Sequence, residues 1–201
     1  MRITVFGAAG SVGGRVLAEA RRRGHEVTPV ARSPREGFAL GAADDVADVR
    51  RLSAGRDVVI SATRPPAGRE RDLAATAEAL LAGVGATRLL VVGGASSLRT
   101  PNGVLVQQEP DFPPELRPIA LACTAQLEVF LRDESDVDWT YLSPPAELVP
   151  GPRTGRYRSG RDDLVVDAGG RSSISLEDLA VALLDEAERP RHRRARFTVG
   201  Y

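Results

Sequence analysis

Gly7-Ala8-Ala9-Gly10-Ser11-Val12-Gly13 is the segment whose residue types and spacing point most directly to chemistry. It lies between an apolar run, Ile3-Thr4-Val5-Phe6, and a stretch with Val12, Val16, Leu17 and Ala20 on one helical face. A strand, glycine turn and helix in that order suit a pyrophosphate. One glycine permits the sharp turn, the next lets the backbone approach the phosphates, and the third lets the helix pack on the strand. The helix start adds unpaired N–H groups and the positive end of a dipole. In this setting the loop predicts dinucleotide binding rather than a plain tight turn.

The residues that would read the adenosine end follow. A site preferring NAD ends its second strand in Asp or Glu, which bonds the ribose 2′-hydroxyl. Here that position reads Ala31-Arg32-Ser33, with Arg35 beyond it. A guanidinium without an acid suits the extra phosphate of NADP(H), a contact worth about 1.5–3 kcal/mol, or roughly ten- to hundredfold. Asp45 is a candidate for the adenine amino group, with Asp44 as the alternative. Ala62, Thr63 and Arg64 sit where the chain would pass the phosphates and ribose.

The rest of the composition excludes more than it suggests. All 27 basic residues are arginine, balanced by 27 acidic ones. Without lysine there is no Schiff base, no Walker loop and no Tyr-x-x-x-Lys relay. The zero net charge argues against a nucleic-acid partner. A lone cysteine, Cys123, excludes an internal disulfide or a multi-cysteine metal site, and reads as a core thiol. His25 starts a strand and His192 precedes one, so both enter from the edge opposite the ligand loops and read as surface residues; no metal is expected. No apolar stretch reaches the ~18 residues of a membrane span. A cytoplasmic protein with a small-molecule ligand and no membrane partner is expected; monomer and dimer stay open.

The elements that must position these residues alternate. Strands are expected at Ile3-Phe6, His25 to Val30, Asp57 to Ser61, Arg88 to Val92, Trp139 to Leu142 and Arg196 to Val199, with a weak one near Ala42-Ala43-Asp44. Helices are expected at Ser11 to Arg23, Val49 to Ala54 capped by Asp48, Arg71 to Val84, Leu116 to Arg132, and from Ser175, where Ser-x-x-Asp is a capping-box pattern. This alternation predicts an α/β, Rossmann-like, doubly wound parallel sheet forming one domain over residues 1–201. Two segments break the rhythm, 98–114 and 143–173, and both follow strand ends, where such folds keep ligand loops. Tyr157-x-x-x-Arg161 lies in the second and reads as a hairpin.

Together these motifs resemble the atypical short-chain dehydrogenase/reductase group with NAD(P)H-binding, NmrA-like domains, nearest to the flavin reductase/biliverdin-IXβ reductase type. The resemblance rests on the glycine loop, Arg32-Ser33, Ala62-Thr63-Arg64, Gly93-Gly94-Ala95-Ser96-Ser97, Trp139 to Pro145, and Ser175-Leu176-Glu177-Asp178-Leu179-Ala180. It implies that Ser96 stands near the nicotinamide with Ala95 beside it, and that Pro144, Pro145 and Ala146 line the nicotinamide side. The reductase type carries histidine where this chain has Ala146, which argues against biliverdin as substrate.

Hydride transfer to a ketone needs a placed proton donor, whereas a flavin or quinone spreads the charge and takes a proton from water. One serine and no acid therefore favour an NADPH-dependent oxidoreductase acting on a flavin-, quinone- or carbonyl-type molecule. Leu98, Phe112, Leu148 and Tyr157 are expected to wall the acceptor. The alternative is a non-catalytic NADP(H)-binding redox sensor of NmrA type. An epimerase is disfavoured by the missing Tyr/Lys acid.

Overall fold

The computed structural model describes all 201 residues. Eight strands form one sheet in the order β3-β2-β1-β4-β5-β6-β10-β8. They are β1 (Arg2–Phe6), β2 (Glu26–Ala31), β3 (Ala39–Leu40), β4 (Val58–Ser61), β5 (Arg88–Val92), β6 (Trp139–Ser143), β8 (Arg158–Gly160) and β10 (Ala195–Gly200). All neighbours run parallel except β8, which pairs antiparallel with β10 at the edge. A separate parallel pair, β7 (Glu147–Val149) with β9 (Ser173–Ser175), forms within and after the long segment 143–173. The α/β doubly wound sheet is thus as expected.

Five helices cover the two faces: α1 (Ser11–Arg22), α2 (Val46–Ser53), α3 (Asp72–Val84), α4 (Arg117–Leu131) and α5 (Leu176–Glu188). Strand alternation divides the core between them. Ile3, Val5, Leu142, Phe197 and Val199 pack with Val16, Ala20, Leu179 and Leu183 from α1 and α5. Phe6, Val59, Leu89, Val91, Trp139 and Tyr141 pack with Val49, Leu80 and Phe130 from α2, α3 and α4. None of the helices is long and apolar enough to cross a membrane.

Four local expectations are corrected. The third strand is Ala39–Leu40, not Ala42-Asp44, because Ala39 and Leu40 continue the ladder beside Val30 and Ala31. The following helix starts three residues earlier, and its N-cap is Asp45, whose Oδ1 accepts from the Asp48 N–H at 3.0 Å. Ser175 does cap α5 by accepting from the Asp178 N–H at 3.0 Å. The return half of that box is missing, since the Asp178 carboxylate accepts instead from Gly155 N–H and the Tyr201 hydroxyl. The histidines are held rather than loose: His25 Nε2 lies 2.9 Å from Glu188, and His192 Nδ1 lies 2.8 Å from Glu186 with its ring stacked on Phe197. Both do sit at strand starts, away from the ligand edge.

Candidate dinucleotide site

The chain order turns back at β1, whose neighbours are β2 on one side and β4 on the other, and a crevice opens over the ends of these strands. It holds about 580 Å³, within the ~300–1,000 Å³ typical of small-molecule sites. Its walls include Gly7, Ala9, Gly10, Ser11 and Val12, then Arg32 and Ser33, then Ala62, Thr63 and Arg64.

Two glycines have no substitute here. Gly7 has φ +75°, and a Cβ on it would lie 2.4 Å from the Ala62 carbonyl oxygen. A Cβ on Gly13 would lie 2.1 Å from the Gly7 carbonyl oxygen, so only glycine lets α1 seat this close to the turn. Gly10, the N-cap, supplies no capping side chain, and the first turn of α1 carries no acid. The helix start is therefore left with N–H groups free to meet an anion. These features fit a dinucleotide pyrophosphate. Arg32 is exposed on the rim and tied into no ion pair, while Arg35 stacks 4.9 Å over Phe38.

Other expected residues lie elsewhere. Ala8 is buried beneath the turn, and Gly13 behind it, so both shape the loop without lining the crevice. Asp45 is committed to capping α2, whereas Asp44 lines the crevice and is exposed. Ala95, Ser96, Pro144, Pro145 and Ala146 stand apart from this wall, in the segments that follow β5 and β6. Ser96 is buried, and its hydroxyl donates to the Ala120 carbonyl at 2.9 Å, latching the loop to α4. That bond uses the Ser96 proton, while the hydroxyl oxygen keeps lone pairs with which to accept.

The expectation of Tyr157 as an acceptor wall is corrected: its hydroxyl donates to Asp185 at 2.7 Å and its ring packs on the α1/α5 side. Leu98 is fully buried and Leu148 also packs on the α1/α5 core. Cys123 is only part-buried, and burial pushes its thiol up to about 11, so it stays protonated at neutral pH. Tyr141 fills the space that a Gly93 side chain would need, and its hydroxyl donates to Cys123 O and Gln126 Oε1, both at 3.1 Å. Burial raises this phenol well above its ordinary range.

The sequence reading missed Phe6, Val30, Gly41, Ala43, Pro65, Asp72, Leu73 and Thr76, all of which line the crevice. Phe6 and Val30 end strands already expected, so strand-end position was the usable signal. The α3 residues carried none, because their first turn meets the crevice only through tertiary packing.

A switch-point crevice with a glycine turn and an uncapped helix start defines a nicotinamide-dinucleotide-binding domain of the Rossmann class. The chain belongs to the NAD(P)H-binding family, whose model matches residues 7–190, and has the atypical short-chain dehydrogenase/reductase build. It is similar to the solved structure of a Burkholderia pseudomallei protein provisionally named as exported, with TM-score 0.91, 38% identity and 100% of both chains covered. It is similar to a Bacteroides thetaiotaomicron protein provisionally named an epimerase, with TM-score 0.88, 36% identity, and 100% of this chain and 96% of that one covered. A Streptococcus pneumoniae protein provisionally named an NADH-flavin reductase is similar at TM-score 0.88 and 31% identity, over 100% of this chain and 99% of that one.

Proposed function

We propose that this protein is an NADPH-dependent reductase that passes a hydride to a flavin- or quinone-type small molecule. When bound, the reduced nicotinamide supplies the hydride; one proton from solvent completes the two-electron reduction of the acceptor. The first turn of α1 holds the pyrophosphate, Arg32 the adenosine phosphate, and Asp44 the adenine edge. Thr63 and Arg64 flank the ribose and phosphates. Ala95, Pro144, Pro145 and Ala146 border the nicotinamide side, and Ser96 acts on them through the loop it latches.

The observation that carries the reading is the inward commitment of Ser96 and Tyr141, two of the hydroxyl-bearing residues around the ends of β5 and β6. Neither is poised to protonate an alkoxide, so an acceptor that delocalises charge fits best. An epimerase, the name given to the Bacteroides relative, would need a placed proton donor of the kind that Tyr141 does not offer. The name of the Streptococcus relative supports a flavin.

Steady-state oxidation of NADPH with FMN, riboflavin and a panel of quinones tests this. Turnover with at least one of these acceptors is expected. Tight NADPH binding with no turnover on any of them would replace the reductase by the NADP(H)-sensing regulator.

A further inference from the structure

Four buried hydroxyls lack a hydrogen-bond partner, those of Thr100, Ser143, Ser172 and Thr198, and two of these stand on neighbouring strands beyond the nucleotide crevice. Ser143 Oγ and Thr198 Oγ1 have no hydrogen-bond partner, and both residues are 0% exposed. A buried hydroxyl left unpaired is costly, and native chains seldom keep one without a use. These two are also register partners, Thr198 on β10 against Ser143 on β6. Tyr141 faces the α3/α4 side and Ser143 follows it by two residues; Phe197 and Val199 face the other side, which turns Thr198 between them towards the face that Ser143 shares. The two hydroxyls therefore stand side by side on one face.

Their place in the fold matches where an acceptor would approach. Ser143 ends β6 directly before Pro144-Pro145, and the backbone next to it is Gly93, whose N–H donates to Leu142 O at 2.9 Å. Above them the two irregular segments meet. Arg196, two residues before Thr198 on the same face, donates to Ser97 O at 3.1 Å and to Asp162 Oδ1 at 3.0 Å. Arg99 N–H donates to Asp162 O, and Leu164 N–H donates to Arg99 O, each at 2.8 Å.

We infer that Ser143 and Thr198 form the polar floor of the acceptor subsite, reached when the loop from Ser97 lifts off Arg196. Each hydroxyl both donates and accepts, so the pair matches a ring edge with a carbonyl beside an N–H. The isoalloxazine dione of a flavin has that edge; a simple quinone has carbonyls alone. This rests on the reductase reading and specifies its substrate class as flavin.

Ser143→Ala and Thr198→Val remove the hydroxyls with little change of shape. Expected are unchanged or raised melting temperatures, NADPH affinity within about twofold of wild type, and a fall of at least about tenfold in kcat/KM for riboflavin and FMN alike. A quinone should lose less than about threefold, and Thr198→Ser, which keeps the hydroxyl, should stay near wild type with flavins. A loss for FMN but not riboflavin would place recognition at the phosphate and overturn the floor. Unchanged flavin turnover would overturn it as well, leaving the hydroxyls to a trapped solvent molecule, as would an equal loss with quinone. If wild type turned over no acceptor, the reductase reading would fail, and equilibrium FMN binding to the protein saturated with NADP⁺ would decide the floor separately. Binding by wild type that is lost in Ser143→Ala and Thr198→Val supports it; equal binding in all three, or none in wild type, overturns it.

Discussion

At the scale of single residues, a side chain's value to the site depends on what else has already engaged it. Arg32 remains unpaired on the crevice rim in a chain whose arginines are mostly bound into ion pairs or packing. Arg32→Glu should weaken NADPH by about ten- to hundredfold while changing NADH far less, read as the ratio of dissociation constants by calorimetry. An unchanged ratio would remove the selectivity assigned to it. Ser96 is the opposite case, because its hydroxyl already serves Ala120. Ser96→Ala should lower unfolding free energy by about 1 kcal/mol in urea titrations. It should change turnover through loop position, raising KM for the acceptor more than it lowers kcat. A collapse of kcat with KM unchanged would restore Ser96 to direct contact with the reacting atoms.

At the scale of elements, the Asp44-Asp45 pair separates structure from recognition. Asp45→Ala should cost about 1 kcal/mol by loss of the α2 cap, with NADPH affinity within about twofold of wild type. Asp44→Ala should do the reverse, with little effect on stability and weaker nucleotide binding. Comparing melting temperatures and dissociation constants of the two variants checks both. This pair also shows what the sequence could and could not convey. β5 over Arg88–Val92 and α1 from Ser11 were legible to within a residue, because apolar runs and glycine punctuation mark them locally. Asp45 and Asp48 are equally good caps by composition. The choice fell to Asp45 once Ala39 and Leu40 joined the ladder beside β2, a pairing set by tertiary contact. The crevice was legible where it follows the glycine loop and the strand ends. It was not legible at Asp72, Leu73 and Thr76, and outside it the Ser143–Thr198 pair was not legible either, because its meaning depends on which strands become neighbours.

At the scale of the whole molecule, the long segment after β6 is strapped to the sheet by charge. Glu19 on α1 receives Arg22, Arg23 and Arg153, the last reaching over from that segment. Burial pushes the Glu19 carboxyl up, but the three guanidiniums outweigh it and hold the carboxyl well below the usual range. A carboxyl depressed in the folded state stabilises the fold above its unfolded pKa of about 4.3, and that contribution fades as pH falls through the folded value. Glu19→Gln should therefore be less stable than wild type at pH 7 by about 3 kcal/mol, and the gap should narrow steadily below about pH 4. Urea unfolding across that range checks it; a gap independent of pH would show that the strap does not depend on this charge. The proposed function puts the nucleotide across β1 and β4. Diffraction from crystals soaked with NADPH tests that most directly. The expected density puts the pyrophosphate within about 3 Å of the Ser11 and Val12 N–H groups and the adenosine phosphate against Arg32. A crevice left empty at saturating nucleotide, or a phosphate held far from Arg32, would contradict it.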